Sequence, residues 1–332
     1  MDALLPPRST MKLEGIHHIT AITSDAQRNV DFYAGVLGLR LVKKTVNQDA
    51  TSVYHLFYAD ERGDPGSDIT FFEFPGATRG RAGAGMVHRV VWRVASPEAL
   101  DFWSERLLEA GDLRSLGSSP GGERPGYQSE REGDSLHFED PEGLAHELAV
   151  VTTDDEPLIA NHPEIPAELA LQGFHGVRAY AEDQERSRHL LQDALFFVRA
   201  GDGWEARGAS RGATYTYDPP PAEPGIQGAG TVHHVAWAST PEEHESWRLL
   251  VVDANGDPTP VIDRFYFRSI YFREPSGVLF EVATIGPGFT VDETLEQLGE
   301  KLSLPPAFEH LRDQVEPTLT PIQNPRESWT QR

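Results

Sequence analysis

In the stretch "VHRVVWRV" that begins at Val87, residues alternate between two faces of an extended chain. His88, Val90, Trp92 and Val94 form one face, and Arg89, Val91 and Arg93 form the other. The first set suits a side covered by a helix. The second suits a side open to a cavity or to solvent. Downstream of a similar strand near the start of the chain, Val30, Phe32, Tyr33, Val36 and Leu37 have the spacing of one helical face. Strand-like runs follow, "SVYHLFYAD" and "DITFFEF", separated by a Gly-Asp-Pro-Gly turn. The predicted order is one strand, one helix and three strands.

That order recurs. "GAGMVHRVVWRVASPEALDFW" from Gly83 aligns with "GAGTVHHVAWASTPEEHESW" from Gly228, and "SLHFEDPEGLAHELAV" from Ser135 aligns with "SIYFREPSGVLFEVAT" from Ser269. A weaker match joins "GIHHITAITSDAQRNVDFY" to "GFHGVRAYAEDQERSRHLL", with His17 opposite His175. The chain therefore contains four units, starting near Lys12, Gly85, Leu171 and Gly230. The fold class expected is α+β: four βαβββ modules, plus a C-terminal helix and tail. The boundaries expected are a flexible lead over 1–11, an N-terminal domain over 12–153 and a Pro-rich linker over 154–169. A C-terminal domain over 170–286 and a helix with an extended tail over 287–332 complete the chain. The helix is read from "TVDETLEQLGEKLSL", with a capping box from Thr290 to Glu293 and an apolar edge of Leu295, Leu298 and Leu302. The last fifteen or so residues read as loosely held.

Composition narrows the chemistry. The chain has no cysteine, so any metal must be held by His, Asp or Glu. No apolar run is long enough for a membrane span, and the first residues do not read as a signal peptide. The expectation is a cytoplasmic protein. A formal net charge of −23 opposes binding to phosphate backbones and anionic lipid, so neither nucleic acid nor membrane is an expected partner.

Two units carry paired histidines, His17-His18 and His233-His234. Alternation lets only one of each pair face the open side. His18 and His234 align with Arg89 and should point into the cavity, while His17 and His233 align with His88 and should lie nearer the helix-covered side. In "VLFEVAT", Phe280 and Val282 share the packed face, which leaves Glu281 on the open one. Two histidines and one carboxylate on one side of a metal leave coordination positions free, the arrangement of non-haem Fe(II) oxygen chemistry. His55 in "YHLFY" reads as a core residue.

Four such units with metal ligands at strand ends resemble the vicinal oxygen chelate superfamily of glyoxalases, bleomycin and fosfomycin resistance proteins and extradiol dioxygenases. "GIHHIT", "NVDFYAGVLGLRLVKKTVNQD", "YHLFYADERGDPGSDITFFEFPG" and "TVHHVAW" resemble the bacterial hydroquinone-type ring-cleaving dioxygenases, from about Lys12 to Gly286. The resemblance implies that the four modules form two half-barrel metal-fold domains, with metal ligation by His18, His234 and Glu281, Fe(II) as the cofactor and Mn(II) as the alternative ion. It implies Tyr271, Arg264 and His233 as catalytic groups, and Thr20 and His17 as substrate-binding residues. The partners implied are an aromatic diol, of hydroquinone or catechol type, and O2, with a homo-oligomer allowed. The first and fourth units should then enclose one cavity. The second and third, with Arg89 and Gly176 at the ligand positions, should form a metal-free counterpart in which Glu147 survives. Two alternatives compete with this reading: a glyoxalase-like metal-dependent lyase or isomerase, for which Glu73 would be the extra carboxylate, and a non-catalytic drug-binding protein.

Overall fold

The computed structural model describes residues 11–111 and 126–331. The βαβββ order holds in all four units. The first contains β1 (Ile16–Thr23), β2 (Arg40–Asn47), β3 (Ala50–Ala59) and β4 (Asp68–Glu73). The second contains β5 (Val87–Val94), β6 (Ser129–Glu132), β7 (Ser135–Glu139) and β8 (Ala145–Val150). The third contains β9 (Phe174–Tyr180), β10 (Val198–Ala200), β11 (Gly203–Arg207) and β12 (Gly212–Asp218). The fourth contains β13 (Val232–Ser239), β14 (Ile262–Asp263), β15 (Arg268–Arg273) and β16 (Leu279–Thr284).

The strands form two eight-stranded sheets, and each sheet takes one unit from each half of the chain. The first runs β14-β15-β16-β13-β1-β4-β3-β2, joining units four and one. The second runs β10-β11-β12-β9-β5-β8-β7-β6, joining units three and two. The seams are antiparallel, β1 against β13 and β5 against β9. Within each unit the first strand pairs in parallel with the last, as β1 does with β4. A strand can reach a parallel neighbour only by a crossover, which the intervening helix and strands supply.

Each helix covers one sheet face. Phe32, Tyr33 and Leu37 are buried there as the periodicity predicts, although the helix is a short α turn, Ala26–Val30, that continues as a π turn over Asp31–Val36. Asp25 caps it by accepting from the Arg28 N–H. The repeated tryptophans are core residues: Trp92 and Trp237 on strands, and Trp103 and Trp247 on helices, are all fully buried. Met11, at the end of the expected flexible lead, is buried too, and residues 1–10 lie outside the described residues.

The stretch from Thr290 to Leu304 does not form the expected helix, and among the described residues the one α-helical turn after Pro287 lies farther on, at Arg312–Val315. Residues Phe289–Val291 and Leu295–Gln297 form single 3-10 turns. Glu293 does not cap a helix; its carboxylate meets the buried ammonium of Lys43, as does that of Asp292 at 2.7 Å. Farther on, Ser303 donates to the Lys44 carbonyl at 2.8 Å, and Leu302 bridges to β2. Pairing along the sheet edge and two ion pairs outweigh a helix propensity worth only tenths of a kcal/mol per residue. The tail is likewise held rather than loose. Thr320 donates to Glu73 at 2.9 Å, Gln323 and Gln27 exchange two hydrogen bonds, and Arg326 pairs with Glu61.

Candidate metal centre and cavity

The inner face of the first sheet brings three of the expected residues together. His18 stands on β1, His234 on β13 and Glu281 on β16, three strands adjacent in the sheet. His18 Nε2 lies 3.2 Å from Glu281 Oε2, His234 Nε2 lies 2.9 Å from the same oxygen, and the two ring nitrogens are 3.3 Å apart. All three side chains are buried, and among the described residues no other set of three His, Asp or Glu groups converges this way.

The donor set fits a cation. Glu281 Oε1 accepts from the Ser269 hydroxyl, whereas Oε2 is buried with no aligned hydrogen-bond donor. An anionic oxygen in that state is costly unless a positive charge meets it. Burial alone would raise the Glu281 carboxyl; protonated His18 and His234 beside it would hold the group well below the usual carboxylate range, and with the rings neutral that positive charge must come from a bound cation. Burial lowers His234, which keeps its ring free of a second proton.

His17 and His233 depart from strict alternation, because both are β-bulge residues. Ile16 pairs with Trp237 and His18 with Ala236, so His17 is the extra residue on β1. Thr20 pairs with His234 and Ala21 with Val232, so His233 is the extra residue on β13. A bulge re-aims the side chain it releases. Neither histidine therefore lies under a helix; each hydrogen-bonds its neighbour. His17 Nδ1 is 3.0 Å from His18 Nδ1, and His233 Nδ1 is 2.8 Å from His234 Nδ1. His17 Nε2 lies 3.2 Å from the Thr284 carbonyl and must donate to it. His17 Nδ1 is then an acceptor, His18 Nδ1 carries the proton, and His18 Nε2 presents a bare lone pair toward Glu281. Burial lowers His17 to about 3, so this tautomer holds over the neutral range.

The second sheet repeats the bulges at His88 and His175, but the ligand positions differ. Arg89 Nη1 sits 3.3 Å from Glu147 Oε2, Ser135 donates to Glu147 Oε1 at 2.9 Å, and Gly176 offers no side chain. A guanidinium here occupies the place that three converging donors occupy in the first sheet.

Beside the triad lies a narrow cavity of about 40 Å³ whose walls include His18, His234, His55, Phe72, Arg264 and Tyr271. Tyr271 pairs across β15 and β16 with Glu281. Its phenol is pushed well up by burial and by Glu281, so it remains protonated. Arg264 Nε donates to the Tyr271 oxygen at 3.3 Å, and its fork meets Asp49 at 3.0 and 3.3 Å. Thr20, expected at the substrate, is fully buried behind the wall and shares a 2.8 Å hydrogen bond with Thr70. His17 and His233 also lie outside this cavity. Glu73 is not a further ligand; it accepts from the Ala26 N–H at 3.1 Å at the helix start.

The profile of the Glyoxalase/Bleomycin resistance protein/Dioxygenase superfamily matches residues 15–148. MhqA of Bacillus subtilis (strain 168), provisionally named a ring-cleaving dioxygenase, is 39% identical, with 94% of this chain and all of MhqA aligned. The chlorohydroquinone/hydroquinone 1,2-dioxygenase of Sphingobium indicum is 34% identical, over 93% of this chain and 96% of that enzyme. The chain belongs to this superfamily. Within it, the chain is an enzyme of the ring-cleaving dioxygenase group. A crystal structure of a provisionally named dioxygenase from Bacillus subtilis superposes with a TM-score of 0.82 at 38% identity, covering 95% of this dioxygenase and 99% of that chain. No helix among the described residues of this dioxygenase is long and apolar enough to cross a membrane.

Proposed function

We propose that the chain is a cytoplasmic, non-haem Fe(II)-dependent dioxygenase that cleaves the ring of hydroquinone-type aromatic diols with O2. The observation that carries this reading is the convergence of His18 Nε2, His234 Nε2 and Glu281 Oε2 in a buried cavity, with the carboxylate oxygen lacking any aligned donor. Two neutral imidazoles and one carboxylate suit Fe(II), with Mn(II) as the alternative ion. When bound, such an ion supplies a redox centre with positions free for a substrate oxygen and O2. The name of the Sphingobium indicum relative supports the hydroquinone class.

The chain's own groups then have distinct tasks. His17 fixes the tautomer of His18, and His233 hydrogen-bonds His234 in the corresponding way; both act through the ligands rather than on substrate. Thr20 supports the cavity wall through Thr70. Tyr271, held protonated, can donate a proton from its hydroxyl to a substrate oxygen. Arg264 places a permanent cation on the cavity wall, where negative charge would develop.

Metal analysis after anaerobic purification tests the ligand set. The wild type should carry one metal ion per chain, and His18→Ala, His234→Ala and Glu281→Ala should each lose it while keeping the far-UV circular dichroism of the fold. Full metal occupancy in His18→Ala, with loss in His17→Ala, would reverse the assignment within the pair.

A further inference from the structure

We propose that His55 is the residue that holds the far hydroxyl of a para-diol and so selects it over a monophenol. This rests on the reading of the site as a hydroquinone dioxygenase, and it concerns the end of the cavity opposite the metal ligands.

His55 lies on β3, on the inner face of the first sheet, and pairs with Phe72 on β4. Its ring centroid is 4.4 Å from that of Phe72, and the Phe72 centroid is 6.5 Å from that of His234. Phe72 thus stands between His55 and the metal ligands, and all three rings line one cavity. An aromatic substrate with one oxygen at His18, His234 and Glu281 would lie along Phe72. Its opposite oxygen, one ring width away, would come to His55.

The imidazole is prepared for that contact. His55 Nε2 is 2.9 Å from the Thr70 hydroxyl, and Thr70 shares a second hydrogen bond with Thr20, so one edge of the ring is fixed. The hydrogen bond to Thr70 engages Nε2, which leaves Nδ1 for a partner in the cavity that the ring lines. The ring is also clamped against Phe57, with centroids 3.9 Å apart. His146, a core histidine, satisfies both nitrogens with Tyr33 and Trp92, whereas His244 keeps Nε2 buried without a partner; His55 differs from both in lining the cavity. Burial pushes the His55 imidazole well below its ordinary value and keeps the ring neutral, so one nitrogen can accept while the other donates. A phenolic hydroxyl satisfies Nδ1 in either tautomer. A methyl group in the same place leaves it unpaired.

The test is anaerobic calorimetric titration of the metal-loaded full chain with hydroquinone and with 4-methylphenol, with metal content measured for every sample. The wild type should bind hydroquinone about three- to tenfold more tightly, the ratio expected for one buried hydrogen bond. His55→Phe should bring the two Kd values together by weakening hydroquinone alone. His55→Gln should restore part of the preference. Thr70→Val, which frees the fixed edge of the ring, should reduce it and stands in if His55→Phe loses metal. Unchanged preference in these variants, or equal weakening of both phenols, would overturn the assignment. Oxygen uptake on the same samples separates the two claims. Wild type that prefers hydroquinone yet consumes no O2 contradicts the functional reading and leaves His55 in place. O2 consumption with the preference intact in His55→Phe does the reverse.

Discussion

His17 and His18 show how much a single residue position decides. Aligning His18 and His234 with Arg89 was enough to select the inward member of each pair, because a strand alternates its faces. The behaviour of His17 and His233 was not legible. A bulge inserts one residue without changing the hydrophobic pattern on either side, and all four seam bulges in this protein carry histidine: His17, His88, His175 and His233. His55 was misread for a related reason. Its aromatic neighbours suggest a core strand, and only the curl of the sheet turns that face into a cavity wall. The tautomer chain from the Thr284 carbonyl through His17 to His18 gives a direct expectation. His17→Leu should retain the metal site but weaken it by about 10- to 100-fold, less than the complete loss expected for His18→Ala. Competition with a metal chelator reads the difference. Equal affinity in His17→Leu and wild type would show that the hydrogen bond does not orient the ligand.

At the level of elements, the strands and the repeat were the most legible features, since alternation, Gly/Pro turns and matched tryptophans all point the same way. The segment after Pro287 was misread because its partners are remote in sequence. Thr290, Glu293 and the leucine spacing satisfy helix rules, but Lys43 on β2 captures Asp292 and Glu293 and the chain runs along the strand instead. Lys43 is fully buried, accepted by the Phe289 carbonyl at 3.2 Å and placed 5.0 Å from the centre of the Tyr266 ring, which itself lines the cavity. Lys43→Ala removes the cation and leaves two carboxylates facing apolar surroundings. The expected loss is on the order of 3 kcal/mol, the scale for breaking a buried pair whose acids keep some contact with water. Urea denaturation should show it as a lower midpoint with an unchanged slope.

Across the whole molecule, duplication explains why one sheet carries the triad while the other holds an Arg89–Glu147 pair in the same place. The pairing of unit one with unit four is what the split ligand set implies, with His18 in one and His234 and Glu281 in the other. The two sheets are tied by buried polar groups that composition alone could not reveal. Tyr33 of the first unit donates to Asp140 of the second at 2.9 Å and lies 2.9 Å from His146 Nε2, while Trp92 donates to His146 Nδ1 at 3.1 Å. Burial lowers His146 from 6.5 to about 3. Between those values the unfolded chain binds the extra proton, so the contribution of His146 is complete above pH 6.5 and is lost as pH falls toward 3. Asp140, raised by burial to about 6, works in the opposite sense, its contribution fading as pH rises from 3.8 to 6. It is common to wild type and His146→Gln, so it drops out of their difference. His146→Gln should be less stable than wild type at pH 7, and thermal melts should show the gap narrowing by pH 4. The proposed reaction is the insertion of O2 into an aromatic ring at the triad of His18, His234 and Glu281. The most direct measurement is mass spectrometry of the product after anaerobically loaded enzyme meets hydroquinone and 18O2. The account predicts one O2 consumed per ring and an acyclic product carrying both labelled atoms, absent with Glu281→Ala. Benzoquinone and hydrogen peroxide as products, or no oxygen uptake with fully metal-loaded protein, would contradict it.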